Sequence, residues 1–264
     1  MLAIIRGGVR KQTGRVHAAW VSSLPAGRVR EWLTVFEAAN KAESPEVAAA
    51  RRAHLRALSQ RSTEWHKERL GFVSGSNFNA LLGGDRFKSR GEVWDDMFGL
   101  SKRKPSNADI ERGVKHEDDG IAAYEAASGF RVVETGIHQH PDPALYMIAV
   151  SPDGLVVDDA GKTVGCVEVK CPRPESPYAL QASVPPWHVA QVHGHIQCTG
   201  LEWCDYVRWT QWRINDAGER EERPEGYAAI VRVVRDDVLW RDSILPALES
   251  FWFDHVVLGI RPLD

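Results

Sequence analysis

The 264-residue chain predicts a mixed α/β (α+β) fold in which a central mixed β-sheet is flanked by helices. Three observations carry this expectation. Short apolar runs at 145–150, 155–157 and 166–171 have strand character and are separated by turn chemistry. A helical pattern at 188–197 then separates them from further strand patterns at 203–214 and 227–235. Finally, 43% of the residues are apolar, enough to bury the core of one main domain.

In chain order, residues 1–60 form an N-terminal extension to a main domain at 61–264. Within it, 2–5 and 16–21 can pair as a small hairpin, followed by helices at 29–42 and 45–58. The second helix, rich in Ala and Arg, can pack on the core, make an oligomer contact or bind a partner. Ser76 stands where it can cap a helix carrying Phe78, Leu81 and Leu82. Arg112-Gly113-Val114-Lys115-His116-Glu117 leads into Ile121 and Tyr124 at helical spacing. Ser151-Pro152-Asp153-Gly154 is a turn, and Pro185-Pro186-Trp187 breaks the chain before the next helix. Residues 215–226, rich in Glu, Arg, Gly and Pro, read as an exposed connection. A closing helix at 237–257 has Leu239, Trp240, Ile244, Leu245, Leu248 and Phe251 as its apolar positions.

The chemistry concentrates between Asp153 and Lys170. In Val167-Glu168-Val169-Lys170-Cys171, strand alternation sends Glu168 and Lys170 to one face and the apolar residues to the other. The turn can fold Asp153 back beside Glu168. Two carboxylates with a main-chain carbonyl, that of Val169, make a hard oxygen site for Mg²⁺, which Mn²⁺ can replace. Lys170 beside them can orient or deprotonate an attacking water, or stabilise a pentacoordinate phosphate. The same residues also suit a surface hairpin with an ordinary Glu and Lys pair, because Glu-x-Lys is a common string.

Three further stretches add to this. Trp65-His66-Lys67-Glu68-Arg69-Leu70-Gly71-Phe72-Val73-Ser74-Gly75-Ser76 has the pattern W-x-x-x-R-x-G-x-(I/V)-(T/S)-(A/G)-S, Glu117 lies four positions after Gly113, and Ala190-Gln191-Val192-His193 opens a helix. Taken in order, these motifs resemble the lambda exonuclease and YqaJ-type viral recombinase family of the PD-(D/E)XK nuclease superfamily, over roughly residues 60–256. The resemblance implies a restriction-endonuclease-like core with the metal site at one sheet edge. It implies that Asp153, Glu168 and the Val169 carbonyl hold Mg²⁺, with Glu117 assisting through water or a second metal. It also implies that Lys170 and Gln191 position the nucleophile, and that Arg69 and Ser76 hold a terminal 5′-phosphate. His116 lies one position earlier, about 100° around a helix, so the two do not aim at one metal, and the acidic residue the resemblance implies four positions after the Gly makes Glu117 the choice. The chain departs from the family pattern at His193, where members often carry a second Gln. His195 shares a helix face with Gln191, so it can border the site.

The implied activity is 5′-to-3′ digestion of one strand of linear duplex DNA, releasing 5′-mononucleotides and leaving 3′ overhangs for phage-type recombination by strand annealing. A homotrimeric ring and a single-strand annealing protein are the implied partners. An endonuclease of the same superfamily and a non-catalytic DNA-binding scaffold are the alternatives. The formal net charge is −3, but Arg61, Lys67 and Arg69, then Arg86, Lys88 and Arg90, then Lys102, Arg103 and Lys104 supply local positive charge for DNA. Cys166, Cys171, Cys198 and Cys204 form no C-x-x-C, which argues for reduced packing thiols and against an iron–sulfur site. No apolar run reaches transmembrane length and residues 1–10 lack a signal-peptide core, so a soluble intracellular protein is expected, and the resemblance implies the cytoplasm of a bacterial host, for a phage or prophage protein.

Overall fold

The computed structural model describes residues 26–41, 44–85, 87–101, 108–176 and 178–263. The expected hairpin at 2–5 and 16–21, Arg86 and the 102–104 cluster lie outside these residues. Helices α1 (Ala26–Asn40) and α2 (Pro45–Arg56) come first. Ser44 caps α2 by accepting from Val47 N–H, with Pro45 in the first turn where its missing donor is harmless. Helix α3 (Thr63–Arg69) is capped by Ser62, whose hydroxyl accepts from Trp65 N–H at 3.1 Å. Strand β1 (Val73–Ser74), a 3₁₀ turn (Gly75–Asn77) and α4 (Phe78–Leu81) follow. Next come α5 (Arg90–Met97), opened by a reciprocal Ser89 and Glu92 capping box, and the long α6 (Ala108–Ser128).

The strands are β2 (Arg131–Val133), β3 (His138–Gln139), β4 (Ile148–Val150), β5 (Gly154–Val157), β6 (Thr163–Lys170), β7 (Trp203–Ile214) and β8 (Arg220–Val234), with α7 (Pro186–Thr199) between β6 and β7. They form a five-stranded sheet, β2-β5-β6-β7-β8, and a three-stranded one, β1-β4-β3. In the larger sheet β6 and β7 run parallel and the other pairs antiparallel, so α7 is a crossover helix. Strand β6 is central. The chemistry expected at a sheet edge therefore lies at the C-terminal end of the middle strand, where a crossover opens a cleft.

Alternation along β6 is as the sequence reads. Val167, Val169 and Cys171 pack with Val207, Trp209 and Tyr124 of α6, while Cys166 packs with Val192 and Ile196 of α7. Glu168 and Lys170 share the α7 side with Cys166. All four cysteines are buried free thiols. The main core joins the small sheet to α1, α2 and the C-terminal helical run α8 (237–256) through Phe36, Leu55, Phe72, Phe78, Phe251 and Trp252. Two glycines permit close approaches. A Cβ on Gly120 of α6 would lie 2.5 Å from Val169 Cγ1, and one on Gly71 (φ +95°) 2.3 Å from Trp32 Cζ2 and 2.8 Å from Phe36 Cδ2.

Two elements differ from expectation. Residues 220–226, read as loop, belong to β8, and the turn is confined to 215–219, where Asn215 Oδ1 accepts from Ala217 and Glu219 N–H. The run α8 contains π turns at Trp240–Ile244 and Trp252–Val256, the first just ahead of Pro246, which cannot donate a helical hydrogen bond.

Candidate active site

Asp153 ends the turn before β5, and two bonds fix it to β6. Its own N–H donates to Val167 O at 3.1 Å, and its Oδ2 accepts from Val169 N–H at 2.6 Å. One strand-end ladder thus sets the carboxylate beside Glu168. Glu168 is 1% exposed and both of its oxygens are held. Oε1 accepts from Gln191 Nε2 at 2.7 Å and from Lys170 Nζ, while Oε2 pairs with His195 Nε2 at 2.7 Å. Gln191 and His195, one turn apart on α7, meet the same carboxylate. A carboxylate has about four acceptor positions, so one remains at Glu168 after three donors, and more remain at Asp153.

Glu117 projects from α6 into the same cleft of 810 Å³ that Asp153, Val169 and Lys170 line. Arg61 pairs with it. His116 is buried instead against Trp209, with ring centroids 5.1 Å apart, and bonds Asp119. It does not line the cleft. The helix geometry thus separates the two neighbours as the sequence reading requires. His193 is buried away from Glu168, and burial draws its pKa down.

The charges are strongly coupled. Burial pushes the Asp153 carboxyl well above the usual carboxylate range, and the negative charge of Glu168 adds to this. Burial also raises Glu117, against the opposing charge of Arg61. At Glu168 burial acts upward, but the charges of Lys170 and His195 and their hydrogen bonds outweigh it and hold the group below its usual range. Burial pulls Lys170 down, yet Glu168 and Asp153 win and keep it above its ordinary value.

Arg69 and Ser76 face a neighbouring cavity of 220 Å³ together with His66, Asn77 and Lys88. Arg69 Nη2 donates to Ser76 Oγ at 2.8 Å, and its guanidinium lies over Trp65 at 4.9 Å. Burial lowers the Arg69 pKa, and the charge of Glu168 partly restores it, so the two sites are within electrostatic reach. Ser76 sits inside the 3₁₀ turn and Asn77 holds the position before α4, so Ser76 is not the helix cap its sequence context suggests. A Cβ on Gly75 would lie 3.7 Å from Gln191 Cγ, which places this turn directly on the Glu168 network.

Among the described residues, no group of three or more His, Cys, Asp or Glu side chains stands ready-made around a metal position. The donor chemistry nevertheless fits a hard divalent cation. Asp153, Glu117 and the Val169 main chain line one cleft with unused acceptor positions, Glu168 lies behind them, and crowded negative charge is what a cation relieves.

Sequence reasoning reads Arg61 as charge for DNA, whereas it pairs with Glu117, and it does not find Gln60, whose Nε2 donates to Pro152 O at 2.7 Å and pins the Asp153 turn. Arg61 has φ 63°, an unusual value for a non-glycine residue. Its charge was visible in the sequence; its backbone and partner were not.

A YqaJ-like viral recombinase domain model matches residues 64–202, more than half of the chain. An alkaline exonuclease from Laribacter hongkongensis, LHK-Exo, is similar in structure with a TM-score of 0.58 and 26% sequence identity, over 75% of this chain and 95% of that one. The same enzyme in complex with dAMP matches with a TM-score of 0.59, at the same identity and coverage. No curated protein matches the chain in sequence. Among the described residues no helix is long and apolar enough to cross a membrane.

Proposed function

The chain belongs to the YqaJ-like viral recombinase domain family, and from that premise we propose a divalent-metal-dependent 5′-to-3′ exonuclease acting on linear duplex DNA. It is a deoxyribonuclease of the alkaline-exonuclease kind. The observation that carries the finer reading is the Glu168 node. One almost wholly buried carboxylate gathers Lys170, Gln191 and His195, with Asp153 and Glu117 beside it and the Arg69 and Ser76 pocket adjoining.

Asp153, Glu168 and the Val169 carbonyl would hold Mg²⁺, or Mn²⁺ in its place, with Glu117 joining through water or a second ion. When bound, the ion supplies Lewis-acid polarisation of the phosphoryl oxygen and eases deprotonation of water. Lys170, which Glu168 and Asp153 hold above its ordinary value, orients the attacking water and offsets charge on the pentacoordinate phosphate. Gln191 shares Glu168 Oε1 with Lys170 and fixes the direction from which both reach the phosphate. Arg69 offers a guanidinium fork, backed by Ser76, to a terminal 5′-phosphate one pocket away. That pocket favours a strand end over an internal bond. The mononucleotide dAMP bound by the Laribacter enzyme belongs to the product class expected here.

The family reading adds 3′ overhangs for recombination by strand annealing, an annealing protein as partner, and a homotrimeric ring. The test is digestion of 5′-labelled linear duplex, with and without a 5′-phosphate, in Mg²⁺ and in EDTA. Metal-dependent loss of the 5′ strand is the expected result, faster with the phosphate. No such loss overturns the reading, and equal cutting of closed circular duplex replaces it with an endonuclease. A solution mass measurement decides the trimer.

A further inference from the structure

Arg208 has no part in the chemistry above, yet it lines the same cleft. It stands on β7 opposite Lys170 in the parallel ladder and is 1% exposed. Its Nη1 donates to Tyr178 O at 2.5 Å, while Nε and Nη2 have no hydrogen-bond partner among the described residues. A guanidinium keeps its charge when buried, and a buried charge without partners is costly unless something else compensates it. The two unpartnered nitrogens form one edge of the guanidinium, the edge that takes two oxygens of a single phosphate.

The surroundings point to the same ligand. Helix α7 begins in this cleft, with Pro185, Trp187 and His188 in its wall, and its N-terminus has no side-chain cap. Pro185 and Pro186 carry no N–H and the His188 N–H donates to Pro185 O at 2.9 Å, so what the helix offers the cleft is the positive end of its 14-residue dipole. Trp187 is 37% and Tyr178 42% exposed, and their rings meet edge to face at 5.2 Å and 90°. Exposed aromatic faces beside the Arg208 guanidinium are what an unstacked base needs. This wall shares no residue with the pocket of Arg69 and Ser76, so groups that attract phosphate stand at two separate places around Glu168 and Lys170.

We propose that Arg208, with the positive end of α7 beside it, holds the backbone phosphate on the 3′ side of the bond being cut, with its base drawn out of the duplex against Trp187 and Tyr178. This deepens the exonuclease reading and rests on it. Because any base has a face to stack, the subsite works without sequence preference, as stepwise digestion requires.

The test uses the full chain with a 5′-phosphorylated duplex carrying 2-aminopurine at the second nucleotide. Binding is measured in EDTA at several salt concentrations, and cleavage in Mg²⁺. Arg208→Gln should weaken binding about 10-fold and reduce the slope of log K against log salt by about one. Trp187→Ala should lose the fluorescence change of the bound probe and raise KM by about 5- to 150-fold, with Trp187→Phe restoring most of both. An unchanged salt slope in Arg208→Gln, or an unchanged probe signal in Trp187→Ala, overturns the proposal. Should Arg208→Gln melt early, Arg208→Lys replaces it, and wild-type KM in Arg208→Lys and Trp187→Ala together is equally fatal. Wild-type protein that binds the probe but never cuts it condemns the exonuclease reading instead, because the binding arm reads this subsite without cleavage.

Discussion

Lys170 and Arg69 do separable jobs in the proposed reaction, and substitutions should separate them. Lys170→Met removes the cation that Glu168 and Asp153 stabilise, so we expect a cleavage rate lower by about 10²- to 10⁴-fold with DNA binding in EDTA retained. Full cleavage by that variant would remove Lys170 from the chemistry. Arg69→Ala deletes a charge-assisted contact of about 1.5–3 kcal/mol, so the advantage of a 5′-phosphorylated end over a 5′-hydroxyl end should fall by about 10- to 150-fold. A preference that survives places the phosphate elsewhere. At this scale the sequence is most legible where chemistry and local spacing coincide. Strand alternation aims Glu168 with Lys170, and helical phase keeps Glu117 and His116 from facing one site, the choice of Glu117 coming from the resemblance. Arg208 and Arg61 are illegible for a definite reason: their significance comes from partners set by a parallel ladder and by an unusual backbone angle, and neither leaves a local pattern.

Among the elements, the contact between α6 and β6 sets the site most directly, because it places Glu117 over Val169. Gly120 makes that contact possible. In Gly120→Ala the new methyl meets Val169 Cγ1, and the overpacking cost of about 1–3 kcal/mol exceeds the helix-propensity gain of about 1 kcal/mol. We expect a lower urea midpoint together with reduced cleavage, since α6 must lift away carrying Glu117. A variant as stable and as active as the parent would show that the helix position is not limiting. Strand β7 runs over the residues its alternation indicates, whereas α5 and the short strands β2 and β3 had no expectation in the sequence. The start of β8 was not legible, because residues 220–226 have no apolar alternation. Main-chain pairing to β7 and exposed pairs such as Arg213 with Glu221 hold that stretch extended. The π turns of α8 escape a periodicity reading in the same way, since one or two shifted hydrogen bonds barely disturb the apolar stripe.

For the molecule as a whole, buried histidines set an acid limit. Burial pulls the His138 and His140 pKa values from 6.5 down to about 3 and about 4. His140 Nδ1 accepts from Asp142 N–H at 3.1 Å, which requires the neutral ring. In the unfolded chain both rings protonate near pH 6.5. Between that value and the folded pKa the unfolded state binds more protons, so stability rises with pH and is lost on acidification, by up to about 1.4 kcal/mol per pH unit for each ring. Glu168, held below its usual range, adds to the loss below about pH 4.5. Asp153 and Glu117, raised by burial, act in the opposite direction, so we expect a net fall of Tm from pH 7 to pH 4 that is shallower in His140→Asn. A flat Tm across that window would mean that these rings titrate alike in both states.

Gly71 joins these scales. In the sequence it is one letter of a phosphate-pocket signature, but the space its missing side chain leaves is filled by Trp32 and Phe36 of α1, while its backbone lines the pocket of Arg69 and Ser76. The residue is a thin partition with the first described helix on one side and the pocket of Arg69 and Ser76 on the other. Any displacement of that helix would therefore reach the rim where the proposed reaction grips a strand end, which would make α1 a lever on end recognition although none of its residues lines that pocket.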